Sequence, residues 1–204
     1  MKRRSSLEKK TAPVASVMEA ITKGDEGELT HALTHYLLIK YPNKKWIIDA
    51  GALQEMELPD MQPTMIATPH EGEFSQIFSQ HKKTDSAQKR TALEEYFSIV
   101  GKHPAVWLIK RRGTDYVMGK GEVPVIITNG NEGLTKGGTG DVLSTLVGIF
   151  YIHNDAFVAC SCASYILKKT ADALYPEKGP FYTTSELVER IPQMVWRHVS
   201  KTQR

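Results

Sequence analysis

This 204-residue chain has only two cysteines, a small net charge and no long apolar run. Cys160 and Cys162 are two positions apart in an apolar helical stretch, so they face different directions. That placement excludes a metal pair and disfavours a disulfide, and we expect two reduced core cysteines. A net charge of +3 does not indicate a nucleic-acid surface, so no nucleic-acid partner is expected.

The absence of an apolar run of membrane-spanning length argues against a membrane partner. Basic residues near the N-terminus are not followed by the apolar segment of a secretion signal, which predicts a cytoplasmic protein. Five basic residues in the first ten positions predict that 1–12 is a basic flexible tail. With 41% hydrophobic residues, the remainder, 13–204, is expected to form a single domain.

Short apolar runs alternate with longer helical patterns along the chain, which predicts an α/β fold with a mostly parallel sheet flanked by helices. Strands are predicted at 46–49, 65–67 and 105–109, followed by a hairpin of strands 115–118 and 123–128. Helices are predicted at 27–40, 74–78, 84–100, 141–151, 154–174 and 183–198. The last helix opens with Thr183-x-x-Glu186, a capping box.

The most informative segment is the loop at 129–141, which contains five glycines and ends on Asp141 where an apolar helical pattern begins. Glycines allow backbone N–H groups to turn inward, and a helix N-terminus adds unpaired donors and partial positive charge. The loop is therefore predicted to bind phosphate, with Asp141 accepting a proton from a substrate hydroxyl. The alternative is that Asp141 is only an N-cap residue after a surface turn.

Polar residues cluster where predicted strands end, the usual ligand position in open α/β sheets. These residues are Asp49, His70, Glu73, Lys110 and Asp141. Taken singly, His70 would more often bond backbone in a turn, and Glu73 or Lys110 would be solvated charges. Their joint placement favours a site.

Three ordered motifs carry a resemblance to a known family: Ile-Ile-Asp-Ala-Gly-Ala-Leu (47–53), Thr-Pro-His-Glu-Gly-Glu (68–73) and Gly-Asn-Glu-Gly-Leu-Thr-Lys-Gly-Gly-Thr-Gly-Asp (130–141). Over about 27–198, the chain resembles the ADP/ATP-dependent NAD(P)H-hydrate dehydratases of the ribokinase-like superfamily. The resemblance implies a ribokinase-like fold and the repair of hydrated NADH or NADPH. The ring hydroxyl would attack the terminal phosphate of ADP or ATP, and elimination of the phosphorylated group would restore the nicotinamide.

The resemblance also implies roles for individual residues. Asp141 would be the catalytic group and, with His70, would contact substrate, while Glu73 would organise a water on Mg²⁺. The anion hole would consist of Gly138, Thr139 and Gly140. The other residues implied in nucleotide binding are Lys110, Arg111, Arg112, Gly113, Thr114, Asn131 and Gly137.

The chain departs from the family pattern in several places. Gly51 replaces the second aspartate of Asp-Ala-Asp-Ala-Leu, and Leu134-Thr135-Lys136 replaces Met-Ala-Thr, so that Lys136 either adds a cation near phosphate or points into solvent. Arg111 and Arg112 replace compact residues and could grip phosphate instead. A βαβ-sized block of roughly 70 residues that precedes the matching region in the family is expected to be missing.

That expectation describes a truncated or divergent member, in which an exposed sheet edge would favour a homo-oligomer or another partner chain. Two further functions stay open at this point. One is a catalytically weak remnant that binds nucleotide without turnover, and the other is a small-molecule kinase of the same superfamily acting on a vitamin-precursor alcohol. The Thr-Pro-His-x-Gly-Glu motif favours the dehydratase.

Overall fold

A five-stranded mixed sheet lies between two layers of helices in the computed structural model, which describes residues 24–56, 58–79, 98 and 100–202. The strands occur in chain order across the sheet, β1-β2-β3-β4-β5. Their bounds are β1 Trp46–Ile48, β2 Met65–Ala67, β3 Val106–Arg111, β4 Thr114–Met118 and β5 Val125–Thr128. The α/β class predicted from the sequence is confirmed.

The sheet is less parallel than expected. β1, β2 and β3 are parallel, whereas β3–β4 and β4–β5 are antiparallel pairs. Only Arg112 and Gly113 separate β3 from β4, and a parallel pairing needs a crossover of a dozen or more residues. The predicted hairpin of β4 and β5 is present, and β3 extends it into a meander.

Alternating side chains of the sheet build two separate cores, one on each face. On one face, Ile66, Leu108 and Val117 pack with the helices that follow the glycine loop. On the other face, Trp107 and Ile109 pack with helices from the first half of the chain. Neighbouring residues of β3 therefore reach different layers, and this alternation continues into the polar residues at its end.

The described helices are α1 Glu26–Lys40, α2 Ala50–Gln54, α3 Glu71–Ser79, α4 Thr139–Tyr151, α5 Ala156–Lys178 and α6 Thr184–Thr202. The predicted capping box is confirmed: the Thr183 N–H donates to Glu186 Oε2 at 2.8 Å, and the Glu186 N–H donates to Thr183 Oγ1 at 3.2 Å. The predicted tail at 1–12 and nearly all of the predicted helix at 84–100 lie outside the described residues.

Several expectations need correction. β3 continues through Lys110 and Arg111, which were predicted to follow the strand. α4 begins at Thr139 with Gly138 as its N-cap, so Asp141 lies within the first turn and is not the cap residue. Cys160 is buried as expected, but Cys162 is exposed, because it lies in an open groove beside the edge strand β5. Across the part of the chain that is described, no helix is both long and apolar enough to span a membrane.

Candidate active site

A cavity of about 530 Å³ opens at one edge of the sheet, next to the glycine loop. β1, β2, β3 and β5 all run in the same direction, so their carboxyl ends meet at this edge. The lining residues come from the start of α3, the β3–β4 turn, the loop after β5, the start of α4 and the middle of α5. Predicted site residues that line it are His70, Lys110, Arg111, Arg112, Gly113, Asn131, Thr139 and Gly140.

The glycine loop turns its carbonyl groups toward protein donors. Asn131 O accepts from Leu134 N, and Gly138 O accepts from Val142 N in the first turn of α4. The hydroxyl of Thr139 lies 2.7 Å from Leu134 O and 2.9 Å from Lys136 O, so this side chain is hydrogen-bonded within the loop itself. With the carbonyls engaged, the first-turn amides of α4 provide the loop's free donors, because a helix leaves those N–H groups unpaired.

Gly138 has a φ of 84°, a left-handed conformation that favours glycine and directs the chain into α4. The helix macrodipole adds partial positive charge at the same point. The predicted anion hole is therefore a set of backbone amides at a helix start, and Thr139 would contribute through its N–H and not through its hydroxyl.

Lys110 places an ammonium group beside this helix start. A Cβ on Gly140 would lie 3.6 Å from Lys110 Nζ, so the lysine side chain reaches the first turn of α4. The same Nζ lies 3.0 Å from Asp49 Oδ1, and both side chains are mostly shielded from solvent. This ion pair brings together two of the strand-end residues predicted from the sequence, although the contact itself was not predicted.

His70 and Glu73 form a reciprocal cap at the start of α3. Glu73 N–H donates to His70 Nδ1 at 3.1 Å, and His70 N–H donates to Glu73 Oε2 at 2.9 Å. Gly72 permits this arrangement, because a Cβ there would lie 3.0 Å from His70 Cε1. Glu73 Oε1 also accepts from Gln54 at 3.2 Å, so both oxygens of this buried carboxylate are engaged.

The acidic side chains do not by themselves form a direct Mg²⁺ site. No group of three or more His, Cys, Asp or Glu in the described ranges is arranged to hold a metal ion. Because Glu73 already accepts hydrogen bonds at both oxygens, these residues do not fit direct coordination of Mg²⁺. The water-mediated role of Glu73 stays a prediction.

Arg111 projects to the opposite face of the sheet from Lys110. Its guanidinium lies 2.7 Å from Glu71 Oε1 and 5.7 Å from the ring of Tyr116. Arg112 and Gly113 form the β3–β4 turn, and Thr114 begins β4. The cavity-lining arginine at position 111 is therefore held by a carboxylate at the start of α3.

A buried ion pair in the cavity wall was missed by the sequence analysis. Asp115 Oδ1 lies 3.5 Å from Lys168 Nζ, and Asp115 Oδ2 accepts from Ser164 at 2.7 Å. Lys168 also donates to Asn129 O at 3.3 Å, while Asn129 itself has a φ of 81°. The available signal was a lysine inside the apolar run of α5, where a charge requires a partner.

Asp141 is exposed in the first turn of α4, directly after the cavity-lining Gly140. The aspartate itself does not contribute to the cavity lining, and neither do Gly137, Gly138 and Thr114. Lys136 follows neither of the two outcomes left open for it. Its ammonium donates to the carbonyls of Pro180 and Tyr182, so it neither faces phosphate nor points freely into solvent.

Comparison with known sequences identifies the family of this chain. A family model described as NAD(P)H-hydrate dehydratase matches residues 18–193, which is most of the chain. The chain belongs to the NAD(P)H-hydrate dehydratase family. A bifunctional NAD(P)H-hydrate repair enzyme of Methanocaldococcus jannaschii is 31% identical over 168 residues, covering 81% of this chain and 30% of the relative. An ADP-dependent (S)-NAD(P)H-hydrate dehydratase of Cenarchaeum symbiosum is 29% identical over 150 residues, covering 72% of this chain and 50% of the relative.

Solved structures share the fold. The ADP/ATP-dependent NAD(P)H-hydrate dehydratase of Bacillus subtilis, co-crystallised with ATP/Mg²⁺ and soaked with CoA, aligns with a TM-score of 0.59 and 25% identity. That alignment covers 74% of this chain and 55% of the Bacillus chain. A ribokinase-like protein of Enterococcus faecalis aligns with a TM-score of 0.65 at 19% identity, over 80% of this chain and 57% of that one. The ribokinase-like fold is thereby confirmed, while the chain spans only about a third to a half of the curated relatives' length.

Proposed function

We propose that this protein uses ADP or ATP to dehydrate hydrated NADH or NADPH. The observation that carries the proposal is the glycine loop: several of its carbonyls accept from protein donors, and its glycines lead into the amides of α4 beside Lys110. Such a helix start binds phosphate groups through N–H donors and partial positive charge. Lys110 adds an ammonium group at the same place, where it is paired with Asp49.

In the proposed reaction, Asp141 removes the proton from the ring hydroxyl of the hydrate, and the oxygen attacks the terminal phosphoryl group of the nucleotide. The bond from that phosphorus to the bridging oxygen breaks, which releases the shortened nucleotide. The ring C–O bond then breaks with its electron pair leaving on phosphate, and a neighbouring ring carbon loses a proton to restore the double bond. Amides at Thr139 and Gly140, with Lys110, would neutralise charge on the transferring group.

The remaining predicted residues would bind the hydrate, the nucleotide or its Mg²⁺. His70 lines the cavity and is exposed, while its Nδ1 accepts from the Glu73 N–H and its Nε2 lies 3.5 Å from Glu73 Oε1. We propose that His70 contacts the hydrate through the exposed part of its ring. Gly113, Thr114, Arg111 and Arg112 would bind nucleotide at the β3–β4 turn, and Asn131 and Gly137 would do so through the loop. Mg²⁺ would accompany the nucleotide phosphates, which are its customary ligands in such enzymes.

The test is the return of reduced-nicotinamide absorbance from hydrated NADH with ADP or ATP and Mg²⁺. We expect recovery by the wild type and a loss of about 10²–10⁴-fold in Asp141→Asn, the usual contribution of a general base. Asp60→Asn, outside the cavity lining, is the matched control and should retain activity. A folded wild type that binds ADP but recovers no NADH would exclude the dehydratase and leave a kinase of other specificity or a nucleotide-binding remnant.

A further inference from the structure

Three side chains fasten the glycine loop to the connection between α5 and α6. Lys136 lies in the loop, and Tyr182 and Thr184 lie in or just after the connection; we name these three residues the loop clasp. Their contacts involve Asn131 near the beginning of the loop and the adjacent Lys136 and Gly137 just before α4. Such contacts tie residues of the predicted phosphate site to a segment more than 40 positions later in the chain.

The first contact is made by Tyr182, which is fully buried. Its hydroxyl donates to Asn131 Oδ1 at 2.8 Å, and the same oxygen accepts from Gly133 N–H at 3.0 Å. Burial raises the pKa of Tyr182 to about 12, so the hydroxyl keeps its proton and remains a donor at neutral pH. The Tyr182 hydroxyl therefore fixes the Asn131 side chain, which in turn accepts from the backbone of the first turn of the loop at Gly133.

The second and third contacts hold the rest of the loop. Lys136 Nζ donates to Pro180 O at 2.9 Å and to Tyr182 O, and it lies 4.4 Å from the centre of the Tyr182 ring. Thr184 Oγ1 donates to Gly137 O at 3.1 Å, next to the left-handed Gly138. The last contact engages the carbonyl of the residue that precedes Gly138, the N-cap of α4.

We propose that the loop clasp is a positioning device that sets the phosphate-binding geometry of the glycine loop before nucleotide arrives. The inference rests on the proposed function, because it concerns the same site. Glycine-rich segments lose more conformational entropy on ordering than other segments, and a loop that is already held in its binding form avoids that cost on binding. Lys136, which replaces a residue of the family pattern, thus acts through the loop backbone and not by contact with phosphate.

The experiment uses Lys136→Met, Tyr182→Phe and Thr184→Val, which remove the bonding groups and keep similar side-chain volume. Lys178→Met is the matched control, because Lys178 pairs with Glu186 in the same region without touching the loop. ADP affinity in the presence of Mg²⁺ is measured by calorimetry, with circular dichroism to verify the fold. Lys136→Arg serves as a rescue variant, since a guanidinium can donate to the same two carbonyls.

We expect Tyr182→Phe and Thr184→Val to raise the Kd for ADP by about fivefold, the effect of one lost hydrogen bond, and Lys136→Met, which loses two, to raise it at least as much, with Lys178→Met unchanged and Lys136→Arg close to wild type. In the dehydratase assay, the KM for nucleotide should rise while the KM for the hydrate stays the same. Folded clasp variants that bind ADP as tightly as the wild type would overturn the inference. A wild type that binds ADP without dehydrating NADH hydrate contradicts the proposed function alone, whereas a wild type that binds no ADP contradicts both.

Discussion

The ring of Tyr182 occupies the space that a side chain at position 133 would need: a Cβ built on Gly133 lies 2.5 Å from both Cζ and the hydroxyl oxygen of Tyr182. Gly133 is buried and does not have a left-handed backbone, so the requirement for glycine is one of close approach and not of conformation. The glycine at this position allows the phenol to reach Asn131, and the loop and the α5–α6 connection fit together for that reason.

We therefore expect Gly133→Ala to destabilise the protein by about 1–3 kcal/mol, the usual cost of an added methyl group in a filled space. Gly51→Ala is the control, because the nearest atom to its built Cβ is 4.0 Å away. Urea unfolding of both variants measures the difference. Equal stability of the two variants would show that the Tyr182 ring can move aside at no cost.

Lys45 caps the C-terminal end of α4 from a distant part of the chain. Its ammonium donates to the backbone carbonyls of Tyr151 and Ile152, which a helix end leaves without intrahelical partners, and to that of Asn154 in the following connection. Lys45→Ala should lower the free energy of unfolding by about 1 kcal/mol, because it removes a charged donor from the negative end of the helix dipole. Lys44→Ala, at the exposed neighbouring position, should have no such effect in the same denaturant titration.

For the Asp115–Lys168 pair in the cavity wall, removal of one partner is expected to lower the free energy of unfolding more than removal of both. Asp115→Ala leaves a buried ammonium without its carboxylate and should cost about 3–5 kcal/mol. The double variant Asp115→Ala/Lys168→Met should regain part of that loss, because the unpaired charge is gone. Denaturant unfolding of the single and double variants decides this, and additive losses would show that the two charges are energetically independent.

Glu186 provides a pH-dependent contribution to stability. The hydrogen bond from Lys178, followed by those from the Thr183 backbone, lowers the pKa of Glu186 from 4.5 to about 2. Because the folded-state pKa lies below the unfolded value, the stabilisation is present above about pH 4.5 and is lost as the pH falls toward 2. Tm values of wild type and Glu186→Gln should therefore differ at neutral pH and converge at low pH. Glu189→Gln, exposed on the same helix, should show no comparable convergence.

The sequence predicted those parts of the fold that depend on local pattern. Glycine density before an apolar helix predicted the loop that leads into α4, and Thr183 with Glu186 predicted the start of α6. Contacts between distant segments were not predictable, since nothing near Lys136 indicates that Pro180 and Tyr182 will supply its acceptors. The antiparallel pairing of β3 with β4 was not predicted for a different reason. The polar residues after Ile109 are typical of the end of a strand, and only the pairing of Arg111 with Thr114 shows that β3 continues through them.

Lys110 and Arg111 are consecutive residues of an extended strand, and each already has an anionic partner from a different layer of the protein, Asp49 for one and Glu71 for the other. If these cations bind nucleotide as proposed, a phosphate would compete with a carboxylate at each of them. The two competitions are separate, because the strand sends the two side chains to opposite sides of the sheet. Selection for tighter or weaker nucleotide binding could thus act on either carboxylate alone, leaving the cations and the glycine loop unaltered.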